Sequence, residues 1–433
     1  MSESVPSGID ASASAAPVRP DAADAAGTSR VSHFFVFVYA LAYTGVWLAL
    51  LTPMLVTIAL RVRQIAPDNA AGQLALVLGV GAIFALIGNP VFGRMSDRTT
   101  SRLGMRRPWL VGGMLCGTAA LTIIALAPTI PILLLGWCLA QLAFNAVLAA
   151  IVAILPDQVP AEQRGTVAGV LGICMPIGQV AGTFLVQALP SSMLLRFIVP
   201  AVVGSIAVLL LVAVLPDRRQ TPGDVPPSDL RNFLRSFWLS PARHSDFAWA
   251  WFSRFLLVTG TAFLTTYQSY YLIEKLGHAD TEVPSLIFKA MLVQASLIVV
   301  SSLVSGQVSD ATGRRKIFVL IAAAVYGAGL WCIAAADSYA GLLVGMVFTG
   351  IGQGVYFAVE LALVTQILPD RKLDAAKDLG MFNIANALPQ SVAPALGPLI
   401  LTASSGDYTW LFVVAGGIAF MAAFAILPLK GVR

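Results

Sequence analysis

The chain of 433 residues is 58% apolar and only 11% charged, with a mean hydropathy of +0.82. Soluble domains carry about 25% charged residues, so this chain has too little charge to cover a water-exposed surface, and a soluble globular protein is excluded. The formal net charge of +5 is distributed over short loops between apolar runs, which reads as a topology signal and not as a patch for nucleic acid.

In chain order, residues 1–31 are rich in Ala, Ser, Pro, Asp and Gly and contain no apolar run. That composition predicts a disordered tail and lacks the roughly 7–15-residue apolar core of a signal peptide. Crossing a ~30 Å hydrocarbon core takes roughly 17–25 apolar residues in a helix. Such runs are predicted at about 33–60, 72–94, 108–128, 131–155, 165–189 and 193–215, then at 247–273, 285–308, 316–336, 339–368, 379–402 and 408–428. Residues 216–246, rich in Pro, Asp and Arg, read as a linker between the two sets, and 429–433 as a short tail. Cys116, Cys138, Cys174 and Cys332 each stand alone in an apolar run. Without CxxC or Cys/His spacing, neither a metal site nor a disulfide frame is expected, and no cofactor is called for.

The charges give an independent check on the spans. With both termini cytoplasmic, 21 of the 27 Lys and Arg residues fall on the cytoplasmic side. Five (Arg61, Arg63, Arg196, Lys275 and Lys289) fall outside, and Arg254 lies within a span. Positive residues are retained on the cytoplasmic side during insertion. The bias therefore predicts an even number of spans and a multi-pass protein of the cell (inner) membrane with cytoplasmic ends.

Three short strings recur at a constant offset of 213 residues. Gly93-Arg-Met-Ser-Asp97 returns as Gly306-Gln-Val-Ser-Asp310, Ile154-Leu-Pro-Asp157 as Ile367-Leu-Pro-Asp370, and Pro176 as Pro389. The expected fold is thus an all-α membrane protein of twelve transmembrane helices in two pseudo-symmetric six-helix bundles, 32–215 and 247–428. Two equivalent bundles rocking about a midplane site are the physical recipe for alternating access.

The loops after spans 2 and 8 carry the densest polar pattern, GRMSDRTTSRLGMRRPWL at 93–110 and GQVSDATGRRK at 306–316. Gly93 and Gly306 are expected to end helices where a neighbouring backbone comes close. Asp97 and Asp310 place a carboxylate where it can meet a helix N-terminus, whose free N–H groups favour an anion. Arg98, Arg102, Arg106, Arg107, Arg314 and Arg315 supply anchors and pairs between bundles. Positive-inside charge alone would explain one such loop more readily than two in register.

On these residues the chain resembles the major facilitator superfamily from about residue 33 to 428. The string Ser96-Asp97-Arg98-Thr99-Thr100-Ser101-Arg102, with Arg106-Arg107-Pro108 and Leu50-Leu51-Thr52-Pro53, is most similar to its sucrose–proton and glycoside–cation symporter branch. The resemblance implies a cytoplasmic latch, Asp97 against the start of span 11 and Asp310 against the start of span 5. It departs from the branch at Gln141, where sucrose-type symporters have an acidic residue early in span 4. The Cys174–Gly182 stretch also lacks the Gly-Pro pair that drug–proton antiporters carry in span 5.

Ionisable side chains inside a span cost several kcal/mol and are functional candidates by default. Arg254 lies seven residues into span 7 and Glu360 eight residues from the end of span 10, each about 10–12 Å deep at ~1.5 Å per residue. Matching depth and opposite charge predict an ion pair, either for coupling or for holding the second bundle together. Neutral polar residues fall on single helix faces. They are Tyr39, Tyr43 and Trp47 in span 1, Gln141 and Asn145 in span 4, Thr261, Thr265 and Gln268 in span 7, and Gln353 and Tyr356 in span 10. The resemblance puts spans 1, 4, 7 and 10 around the central cavity, so these are the candidate substrate contacts. Asn383, Asn386 and Gln390 of span 11 form a second layer. Any one of them taken alone reads better as bonding between helices; the joint pattern is what marks a solute path.

The expected function is secondary transport by a monomer, with a small-molecule substrate, a coupling proton and the lipid bilayer as partners. Proton-coupled symport of a sugar or other small polar solute leads, and proton-driven export of amphipathic compounds is the alternative. A membrane sensor or enzyme is the remote third, since no Ser/His/Asp set, HExxH or nucleotide-binding Gly loop is present.

Overall fold

The computed structural model describes residues 30–189, 192–217, 219, 245–367 and 384–429. Among them are twelve helices long and apolar enough to cross a membrane, and no strand. Spans 1–6 are His33–Ile65, Pro67–Asp97, Arg107–Leu126, Ile130–Gln158, Glu162–Ala188 and Met193–Val214. Spans 7–12 are Ser245–Lys275, Val283–Ser309, Arg315–Ala334, Tyr339–Glu360, Ile384–Ala403 and Thr409–Ile426. The multi-pass, all-helical architecture follows from the backbone, because a helix satisfies its own N–H and C=O groups where no water can. Large apolar side chains such as Phe37, Ile87, Leu135, Leu209, Val304 and Leu399 stand exposed on the outside of the spans.

Within the first half, span 1 packs on spans 5 and 6, and span 4 on spans 2 and 3. The second half repeats the pattern, span 7 on spans 11 and 12, and span 10 on spans 8 and 9. The halves meet along two seams, span 2 against span 11 and span 5 against span 8. Spans 1 and 6 cross so closely that a Cβ at Gly204 would lie 2.3 Å from the Gly45 carbonyl oxygen, the small-residue contact through which membrane helices pack.

Several spans are irregular where the sequence supplies a reason. Pro53 has no N–H to donate, and span 1 responds with a π-helical turn, Pro53–Thr57, in which the Ile58 N–H bonds the Pro53 carbonyl. The helix then continues to Ile65, past the end expected near residue 60. Span 7 also finishes in a π-helical turn, Tyr271–Lys275. Span 5 breaks at Ile173, between Ala161–Gly172 and Cys174–Ala188, and span 11 has a turn at Leu388, before Pro389–Ala403. Both interruptions sit just ahead of the repeat-related Pro176 and Pro389.

Gly93 and Gly306 do not end helices. Both lie inside longer ones, Ala70–Asp97 and Val283–Thr312. A Cβ at Gly93 would make an ordinary 3.7 Å contact with Ala149, and one at Gly306 would meet nothing within 4 Å. The close backbone contacts fall instead at the crossings within each half.

Candidate functional site

Arg254 and Glu360 come together. Span 7 presents the guanidinium and span 10 the carboxylate, and Arg254 Nη1 donates to Glu360 Oε2. Asn386 of span 11 accepts from Arg254 Nε at 2.7 Å, and the Phe357 ring lies 4.9 Å from the guanidinium carbon, a cation–π distance. One turn away, the Tyr356 hydroxyl and Ser253 Oγ lie 2.9 Å apart, and Ser253 donates to the Ala422 carbonyl of span 12. Four helices thus converge on the pair. Asn386, Phe357 and Ser253 are the partners a reading by charge passes over. Asn386 alone left a signal, as a polar residue on span 11.

The first half builds a neutral counterpart. Asn145 Nδ2 donates to the Gln141 carbonyl at 2.8 Å and to Gln141 Oε1 at 3.2 Å. Asn89 of span 2 reaches Asn145 Oδ1 at 3.5 Å. Tyr43 and Trp47 are half-buried and meet edge to face at 5.8 Å. Tyr39 is fully buried, its hydroxyl donating to the Ile151 carbonyl at 2.7 Å, and Tyr356 is equally buried. Both hydroxyls are engaged within the protein.

Along span 7, Thr261 and Thr265 turn their hydroxyls back onto Leu257 and Thr261 carbonyls. Gln268 is buried with Nε2 unpartnered, as is Oε1 of Gln390. Gln353 accepts from Gln294 of span 8 at 3.5 Å. Asn383 lies outside the described residues. A separate crevice of about 440 Å³ opens between spans 8, 9 and 10, lined by residues such as Val304, Val308, Phe318, Ile321 and Val355, and none of the candidate residues lines it.

The arginine-rich loop is organised around Arg106, which is buried. Its guanidinium bonds Asp97 at 2.6 Å, Asp157 at 2.9 Å and Ser96 at 2.8 Å. Asp217, just past span 6, accepts from the backbone N–H groups of Arg106 and Arg107, both at 2.8 Å, capping the start of span 3 where the helix dipole favours a carboxylate. Arg107 donates to the Leu215 carbonyl. Arg98 is half-buried, and Arg102 and Arg314 are exposed, with Arg315 half-buried. Asp97 is therefore held by its own half, while the start of span 11 and the side chain of Asp310 lie outside the described residues. Asp157 belongs to a string that marked the repeat, and that recurrence was its only sequence signal.

At the end opposite this loop the halves are tied together. Arg63 at the end of span 1 bonds Glu274 at the end of span 7 and, through Nε at 3.2 Å, Asp280 beyond it. Tyr270 donates to the Ala59 carbonyl at 2.9 Å, and Ser269 to the Leu55 carbonyl at 3.0 Å. Leu55 lies in the π-helical turn of span 1, so the irregular turn is where span 7 docks.

Comparison with known proteins identifies the fold and the family. Among curated relatives, an uncharacterized symporter of Synechocystis sp. is 54% identical over 49 residues, 11% of this chain and 8% of the relative. The multidrug resistance protein MdtL of Klebsiella pneumoniae is 32% identical over 121 residues, 28% of this chain and 29% of the relative. The matches thus span well under two thirds of either relative. Among solved structures, a bacterial homologue of the human lysosomal transporter Spinster, in an inward-facing and occupied conformation, superimposes with a TM-score of 0.70. It is 14% identical, and the match covers 92% of this chain and 97% of that one. The family model of the Major Facilitator Superfamily matches residues 32–297 and 250–432. With nearly the whole described chain covered, the protein is a multi-pass membrane protein that belongs to the Major Facilitator Superfamily.

Proposed function

We propose that the protein is a proton-coupled symporter of a small polar solute, with sugars the first class to test, and that Arg254 and Glu360 couple proton to solute. The carrying observation is the Arg254–Glu360 pair itself, with Asn386, Phe357 and Tyr356 built around it. A carboxylate deep in a span is stable either paired with a cation or protonated. A pair that opens and closes as the helices rock can therefore exchange a proton once per cycle. The monomer, the cytoplasmic position of both termini and the sucrose-type affinity of the Ser96–Arg102 string are part of this reading. The tie between Arg63, Glu274 and Asp280 fits a state closed on the outer side, in which the solute path opens toward the cytoplasm.

The similarity to MdtL supports one rival, proton-driven export of amphipathic compounds. Counterflow in proteoliposomes, with sugars against lipophilic cations, separates the two. Saturable cation export with no sugar exchange would remove the symport reading. For the coupling pair, Glu360→Gln is expected to abolish solute-driven proton uptake, read with a trapped pH dye, while solute exchange persists. Proton uptake persisting in that variant would leave the pair a structural role only.

A further inference from the structure

The two members of the pair are unequally placed. The side chain of Glu360 is 0% exposed, whereas that of Arg254 keeps 15%. Glu360 spends Oε2 on Arg254, and its Oε1 is buried with no hydrogen-bond partner. Arg254 is aimed from three directions, by Asn386 on Nε, by the Phe357 ring and by Glu360 on Nη1. The partners named here come from spans 10 and 11, and of the pair Arg254 alone keeps exposed surface. A solute arriving there meets the positive charge first, with the negative one sealed behind it. That order repels a cation and suits an anion, so among the small polar solutes proposed above it favours acidic members, sugar acids included, over neutral sugars.

We infer that the transported solute carries a carboxylate, which replaces Glu360 on Arg254 while Glu360 takes up one proton; this rests on the coupled reading above. The charges balance at each stage. Before binding, one guanidinium faces one carboxylate. Afterwards the guanidinium faces the solute carboxylate, and the displaced Glu360 becomes a neutral acid, so the buried site keeps zero net charge. The proton comes from water on the side of entry and bonds a carboxyl oxygen of Glu360, and no other bond is made or broken. A planar guanidinium matches a carboxylate fork. A doubly charged phosphate ester would leave one negative charge uncompensated in a span. The ionisable groups near Glu360 are Arg254, paired with it from span 7, and Tyr356, one turn away on its own helix with its hydroxyl engaged by Ser253. Span 11 contributes the neutral Asn386. Span 12 contributes the Ala422 carbonyl, through Ser253. Two turns along span 10, span 8 contributes Gln294, opposite Gln353, and span 9 contributes Tyr326, beside Gly352.

The test uses purified full-length protein and matched probe pairs at constant ionic strength: gluconate and sorbitol, lactate and 1,2-propanediol, benzoate and benzyl alcohol. In at least one pair the carboxylate is expected to raise the melting temperature while its neutral partner does not. The same addition in weakly buffered solution takes up one proton per protein. Glu360→Gln keeps the stabilisation and loses the proton uptake. Arg254→Lys binds at least about tenfold more weakly, since one forked, charge-assisted contact is lost. The double variant Arg254→Gln/Glu360→Gln, which removes both charges and so leaves neither stranded, folds and loses the preference for carboxylates. Neutral partners stabilising as well as carboxylates, or no carboxylate stabilising at all, would overturn the inference. Carboxylate binding without proton uptake in the wild type overturns the exchange and the coupling reading but leaves the carboxylate assignment standing. Proton uptake driven only by the neutral partners does the reverse.

Discussion

The two halves share a framework and fill its centre with different chemistry. In the first, Gln141, Asn145 and Asn89 bond one another at 2.8–3.5 Å, with every member neutral. In the second, Arg254 and Glu360 form an ion pair, and the carboxylate is stable in a span only while it is paired or protonated. An amide cluster can lose a member and re-form with what remains. An ion pair cannot, because the survivor is left as a buried charge or, in the case of Glu360, must take up a proton. The first half is therefore suited to hold a shape, and the second to change state.

The sharpest way to break this comparison is to strand one charge. Arg254→Gln alone is expected to cost about 3–5 kcal/mol while the stranded Glu360 stays ionised, less where falling pH lets it protonate, and the double neutral variant to regain most of it. Unfolding in detergent measures both, and equal losses in the two variants would show that burial imposes no such coupling. Arg106→Gln comes next. It strips a buried guanidinium from Asp97, Asp157 and Ser96, at a cost of about 2–3 kcal/mol for lost charge-assisted bonds. An unchanged melting temperature would contradict its place at the centre of the loop.

Smaller effects test motion and the neutral cluster. Arg63→Gln removes partly exposed pairs to Glu274 and Asp280, each worth up to about 1 kcal/mol. The population closed at that end should fall roughly fivefold for each 1 kcal/mol lost, as read by distance measurements between labels on spans 1 and 7. No change in the distance distribution would show that Tyr270 and Ser269 hold the halves together unaided. Asn89→Ala has the smallest expected effect, about 1 kcal/mol or less, since its bond to Asn145 is long at 3.5 Å. A loss as large as that of Arg254→Gln would erase the distinction between the two clusters.

Legibility in the sequence tracked how local each signal was. The spans were readable because any stretch that crosses a membrane must be apolar and helical whatever its neighbours do. The Arg254–Glu360 pair was readable because two isolated charges in apolar helices have few ways to be satisfied. Asn386 and Phe357 were ordinary span residues until span 11 and span 10 placed them on Arg254. Gly93 and Gly306 went the other way. Their motif suggested close approach, yet the tight crossings are elsewhere, because backbone distance depends on which helices meet.

The sequence by itself determined the helical class, the number and placement of the spans, the repeat, and the deep ion pair, since hydropathy and isolated buried charge act residue by residue. Only the tertiary structure decided at which end the described inter-half ties lie, that Arg106 gathers Asp97 and Asp157, and that Arg254 rather than Glu360 is the exposed member of its pair. Those facts depend on angles and distances between helices far apart in the chain, and burial is a property of the whole assembly of spans.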